Sequence, residues 1–136
     1  MKIETSQAQG SVPVTVLQPH GDLDGATYRE LIDAAQGLYD AGVRDMILDL
    51  SLVPYSSSSG LVAIHTIALL LRGEQLPDPE YGWGAIHAMG KDVEGGMQEH
   101  LKLFNPQPKV NKVLETTGFK LFFEIYIDLD EAVASF

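Results

Sequence analysis

The stretch "VPYSSSSGLVAI", residues 53–64, sets four serines in a row between a Pro-Tyr turn and a long apolar run. A serine hydroxyl can attack a carbonyl, cap a helix or accept a phosphate. The first chemistry calls for a G-x-S-x-G turn between a strand and a helix. The strand-turn-helix setting is present, but no glycine stands two residues before any of these serines. A triad also needs a histidine and an acid. His20, His65, His87 and His100 are available, and none has a spacing that argues for pairing with the run. No acid, base and nucleophile converge, so the chain does not read as an enzyme.

The second chemistry explains one serine. At an N-cap, its oxygen satisfies a backbone N–H left free at the start of a helix. The third accounts for a hydroxyl that is free to be modified. A phosphate near a helix N-terminus sits among exposed N–H groups at the positive end of the dipole. It adds about -1.5 to -2 charges to a binding face without breaking the fold. Ser58 and Ser59, just before Gly60, are the best-placed acceptors.

These readings depend on the elements that flank the run. "DMILDL", residues 45–50, is a short, almost continuous apolar segment, as expected of a strand buried on both faces. "GLVAIHTIALLL" is apolar nearly all round and predicts a deeply buried helix. Four serines between such neighbours make a tight connection, not a flexible linker.

Upstream, Val12, Val14 and Val16 alternate as in a strand, with Lys2 to Thr5 as its expected partner across a turn near Gly10. Tyr28, Leu31, Ile32, Ala35, Leu38 and Tyr39 recur at helical spacing. Thr27 and Glu30 have capping-box spacing before them, and Gly42 stands where a C′ residue belongs. Downstream, "LKLFNP" (101–106) and "FFEIYI" (122–127) read as strands. Val110, Val113, Leu114 and Thr117 form a short helix closed by Gly118. Asp128 and Glu131 cap a last helix carrying Leu129, Ala132, Val133 and Phe136. The order is β-β-α-β-α-(insert)-β-α-β-α, which implies an α/β layer structure.

Between Arg72 and His100 the periodicity is lost. A long insertion at about 73–100 is expected, with one short helix after Val93. Tyr81, Trp83, Met89 and Met97 could tuck against the domain or form a self-association surface. His87 and His100 with Asp78, Glu80, Asp92, Glu94 and Glu99 match no metal-ligand spacing, so no metal is expected. "GWG" at 82–84 is too short for a phosphate loop, and no cofactor is expected.

The 136 residues fit a single domain, residues 1–136, and 45% hydrophobic content is enough for a core. Nine Lys and Arg against nineteen Asp and Glu give a net charge of -10, which argues against nucleic acid and anionic membranes as partners. With no cysteine, disulfides, thiolate metal sites and a Cys nucleophile are excluded. "MKIETSQAQG" is no signal segment, and Leu61–Leu71 falls short of the roughly 20 residues that span a bilayer. A cytoplasmic location is expected.

Three stretches together resemble one family. "GDLDGATYREL" resembles the segment that leads into its first helix. "MILDLSLVPYSSSSGLVAI" resembles its strand, phosphorylation loop and buried second helix. "VLETTGFKLFFEIYIDLDEAVASF" resembles its C-terminal helix-strand-helix. The family is the STAS domain, of the anti-sigma-factor antagonist type. The resemblance implies a central mixed sheet of about four or five strands against about four helices. It implies a non-enzymatic regulatory module that binds a kinase-type anti-sigma factor, with Asp22, Asp24, Ser56, Ser57, Ser58, Ser59, Gly60 and Leu61 at the contact.

In the family the loop reads Asp-Ser-Ser/Thr-Gly, and the serine after the Asp is the one phosphorylated. That position is Ser58. Ser57 replaces the Asp, which leaves Ser57 and Ser59 as alternative acceptors. It also leaves open a constitutive scaffold without phospho-control. Small-ligand sensing, known among relatives, is the remaining alternative. The Leu23-Asp24 pair implies that Asp24 lies beside the loop.

Overall fold

A computed structural model describes residues 1–73 and 97–136. Tyr81, Trp83, Met89, the "GWG" triplet, the expected helix after Val93 and the acidic and histidine residues from Asp78 to Glu94 lie outside the described residues.

Among the described residues five strands form one sheet in the order β1-β2-β3-β4-β5. They are β1 (Lys2–Gln9), β2 (Pro13–His20), β3 (Met46–Asp49), β4 (Leu101–Phe104) and β5 (Ile125–Tyr126). β1 pairs antiparallel with β2, and the remaining pairs are parallel, so the sheet is mixed. Among the described residues four α-helices pack with it: α1 (Tyr28–Asp40), α2 (Ser58–Leu71), α3 (Pro108–Thr116) and α4 (Leu129–Ala134). Outside the expected insert, the order of these elements is the expected one.

Alternation along the central strands feeds two cores. Met46 and Leu48 of β3, with Leu17, Leu101 and Leu103 of its neighbours, pack against α1 and α2. Ile47, with Val14 and Val16, faces the other way, onto Ala132 and Val133 of α4. Every residue of β3 is therefore buried, which is why its sequence shows no polar alternation. α2 is buried from Gly60 to Leu71, as its all-round apolar surface requires. Among the described residues no helix is long and apolar enough to cross a membrane.

Local signals hold at several ends. Gly42 and Gly118 follow α1 and α3 with φ of 105° and 80°, the left-handed conformation expected of C′ residues. Asp128 caps α4, its carboxylate accepting the Glu131 N–H at 3.1 Å.

Three expectations need correction. β1 runs to Gln9 rather than ending at Thr5, because its register against β2 continues to Gln9↔Pro13. The expected strand "FFEIYI" shrinks to Ile125–Tyr126. Phe119–Leu121 forms a 3-10 turn that carries Phe119 and Phe123 into the main core instead. The capping box at Thr27 and Glu30 does not form. The Thr27 hydroxyl donates to the Asp22 carbonyl at 2.7 Å, and Glu30 turns to the amine of Met1 at 3.1 Å. Each side chain thus has a partner other than the backbone N–H that a capping box would give it.

Candidate functional site

The serine run lies where two parallel strands end side by side. After β2 and β3 separate, their loops remain joined: Gly21 N–H donates to the Leu52 carbonyl at 3.0 Å, and Leu23 N–H to the Tyr55 carbonyl at 3.0 Å. Ser57 N–H returns to the Leu23 carbonyl at 2.8 Å, so Leu23 and Ser56 form an isolated parallel bridge. The start of α2 and the loop before it are therefore clamped to residues 21–23 by backbone bonds that no side chain encodes.

Each serine has a different environment. Ser56 is buried, and its hydroxyl donates to the Ser57 carbonyl at 3.1 Å. Ser57 is the N-cap of α2, its Oγ accepting the Ser59 N–H at 3.2 Å. Ser57 thus caps α2 with a neutral oxygen. Ser58 is the first residue of α2 and is exposed, and its hydroxyl has no hydrogen-bond partner among the described residues. Ser59 is half-buried and lies beside Gly25. Gly60 and Leu61 are buried, Leu61 within the main core.

Asp22 is exposed at the rim. Asp24 directly follows the bridged Leu23, but its carboxylate turns back on its own backbone, accepting the Ala26 N–H at 2.9 Å. Its carbonyl accepts the N–H groups of Thr27 and Tyr28. Asp24 thus shapes the entry to α1 while lying next to the bridged residue.

Two residues of this surface are not singled out by the sequence. Leu52 and Tyr55 are 42% and 48% exposed. Both sit in the loop that pairs with residues 21–23, so a large apolar surface adjoins the serines. Their one signal is the Pro-Tyr turn, which by itself reads as a connection.

The three described histidines, His20, His65 and His100, lie elsewhere. His65 is buried nearly two turns along α2 from Ser58. His20 faces Glu4 at 3.6 Å, and His100 pairs with Asp45 at 2.8 Å at the opposite end of β3 from the serines. Glu99 lies beside His100, and Met97 is exposed. Among the described residues no three His, Asp or Glu side chains are grouped to hold a metal ion.

Comparisons with known proteins agree with this fold. The fold is similar to that of a candidate anti-sigma factor antagonist from Thermotoga maritima, at 20% identity and a TM-score of 0.69 over 96% of this chain and 90% of that one. An anti-sigma factor antagonist from Mycobacterium paratuberculosis matches at 19% identity and a TM-score of 0.63, over 98% and 93% of the two chains. The unphosphorylated form of the anti-sigma factor antagonist SpoIIAA matches at 16% identity and a TM-score of 0.56, over 97% and 93%. No curated protein matches the sequence. The STAS domain family model matches residues 5–75, more than half of the chain and all of the segment that builds the serine loop. The chain belongs to the STAS domain family.

Proposed function

We propose that this chain is a regulatory binding module of the anti-sigma-factor antagonist type. It docks a kinase-type anti-sigma factor through the serine loop and the start of α2, and acts by binding, not catalysis. Phosphorylation of Ser58 weakens that contact. The observation that carries the reading is the exposure of Ser58. It alone of the four serines is both exposed and without a hydrogen-bond partner among the described residues, at the first position of α2. A kinase can reach it, and a phosphate on it would stand at the positive end of the helix. Bound to a partner, the same dianion must lose its water and opposes any acidic surface it meets. A structural relative supports the class: SpoIIAA is known in both an unphosphorylated and a phosphorylated form.

The contact surface we assign comprises Asp22, Asp24, Ser56 to Ser59, Gly60 and Leu61, with Leu52 and Tyr55 added. Buried Ser56, Gly60 and Leu61 serve it by holding the loop in shape. Co-purification from the native cells tests the reading. Ser58→Ala should retain the anti-sigma factor and Ser58→Asp should lose it. Equal recovery on wild type and Ser58→Asp contradicts the switch.

A second reading, a constitutive scaffold without phospho-control, is favoured by one feature. Ser57 keeps the cap but removes the carboxylate that the family places before its phosphorylated serine. This reading predicts partner binding indifferent to both substitutions.

A further inference from the structure

Among the described residues β1 forms one edge of the sheet, and Lys2–Gln9 pair with β2 on one side only. Along a strand, the N–H and C=O of one residue point to the same side, and successive residues alternate. Thr15 N–H donates to the Asp45 carbonyl, towards β3. The backbone groups of Val14, Val16, Gln18 and His20 therefore point towards β1, where they meet Ala8, Ser6, Glu4 and Lys2. It follows that Ile3, Thr5, Gln7 and Gln9 turn their N–H and C=O groups out of the sheet.

Open edges recruit other strands unless a proline, a bulge or an inward charge blunts them. β1 has none of these. Its register is unbroken from Lys2↔His20 to Gln9↔Pro13, and it contains no proline. Its only charged side chains, Lys2 and Glu4, pair with each other at 3.1 Å.

We propose that the occupant of this edge is a second copy of the chain, paired antiparallel about a two-fold axis at Ser6. The sequence of β1 selects that register. With the axis at Ser6, Ile3 exchanges hydrogen bonds with Gln9 and Thr5 with Gln7, so all four outward residues of each copy are used. Between them Ser6 faces Ser6, Glu4 faces Ala8 and Lys2 faces Gly10, and no like charges meet. An axis at Thr5 uses three of the four outward residues. An axis at Glu4 sets Glu4 against Glu4. Such pairing is isologous, as closed dimers require, and joins two five-stranded sheets into one. It differs from self-association through residues 73–100 and does not depend on the serine switch.

Sedimentation of the full chain over a concentration series tests this. The wild type should show a reversible monomer–dimer equilibrium. Thr5→Pro removes an outward N–H and no bond to β2, so it should give a folded monomer whose unfolding midpoint matches that of the wild type at concentrations where the wild type is itself monomeric. Ser6→Glu and Ser6→Lys each place like charges on the axis of an exposed strand and should weaken the dimer by more than about tenfold. Mixing the two variants should restore a heterodimer. A wild type that stays monomeric at all concentrations overturns the proposal. So does a dimer that neither Thr5→Pro nor the Ser6 variants weaken.

Discussion

Ser56 and Gly60 are packed so closely that a Cβ on residue 60 would stand 2.1 Å from the Ser56 Oγ, and 2.9 Å from the Cβ of Leu23. The bridge between Leu23 and Ser56 and the first turn of α2 thus share a space that admits only glycine. The loop shape and the helix start are one packing unit, and what perturbs one perturbs the other.

Gly60→Ala should therefore destabilise the protein by about 1–3 kcal/mol, the usual cost of overpacking. The Leu23 carbonyl, 3.2 Å from the same position, is backbone and yields least. Gly37 provides the contrast. It lies within α1 and is exposed, and a Cβ at that position would meet nothing within 4 Å. Gly37→Ala should stabilise by about 0.5–1 kcal/mol. Urea unfolding of both variants checks the opposite signs.

The cap at Ser57 makes a separable prediction. Ser57→Ala removes the acceptor for the Ser59 N–H and should cost about 1 kcal/mol. Ser57→Asp keeps an acceptor and adds charge at the favourable end of α2, so its stability should equal or exceed the wild type. Thermal unfolding distinguishes the two. Under the scaffold reading, Ser57→Asp should also create phosphorylation at Ser58 that the wild type lacks.

Tyr55 should matter to binding and little to folding. It is half exposed on the loop beside the serines, and exposed aromatics at a contact centre carry much of its energy. Tyr55→Ala should weaken partner binding by about 1–2 kcal/mol, or roughly tenfold. Its unfolding midpoint should stay near wild type. A partner affinity unchanged by the substitution would place the contact elsewhere.

Away from the serine loop, Glu124 gives stability a defined pH dependence. The Tyr126 hydroxyl donates to its carboxylate and lowers its pKa, and Lys102 adds to this at 3.1 Å. The same bond raises the pKa of Tyr126. A carboxylate with a depressed folded pKa contributes stability above its unfolded value of 4.5, lost as pH falls through the folded value. A phenol with a raised pKa contributes below its unfolded value of 10.0, lost as pH rises through the folded one. Tyr126→Phe should remove this pair's alkaline contribution and most of its acid one. Partial exposure of Glu124 screens the effect to roughly 1 kcal/mol or less at neutral pH. Unfolding midpoints between acid and alkaline pH, compared for the two proteins, measure it.

Much of the fold is legible in the sequence because its signals are local. The unbroken apolar run of α2, the glycines after α1 and α3, and Asp128 before α4 each state their role in a few residues. β1 is harder, because "TSQAQ" has no apolar alternation and its strand state comes from pairing with β2. Glu30 shows capping spacing, but a charged partner brought from the start of the chain takes it away. In the serine loop, the residue types are visible and their ranking is partly so. The bridge from Leu23 to Ser56 is not visible, since it is made of backbone groups. Lys102 gives no hint of burial, because the carboxylate and carbonyl that satisfy its ammonium come from Glu124 and Ser135.

The proposed switch at Ser58 is most directly tested by mapping phosphate on protein recovered from its native cells under growth and stress conditions. Cleavage after Arg44 and Arg72 places the whole serine run on one peptide. The account predicts phosphate on Ser58, the exposed first residue of α2. Its absence under every condition, or phosphate confined to another serine of the peptide, would contradict it.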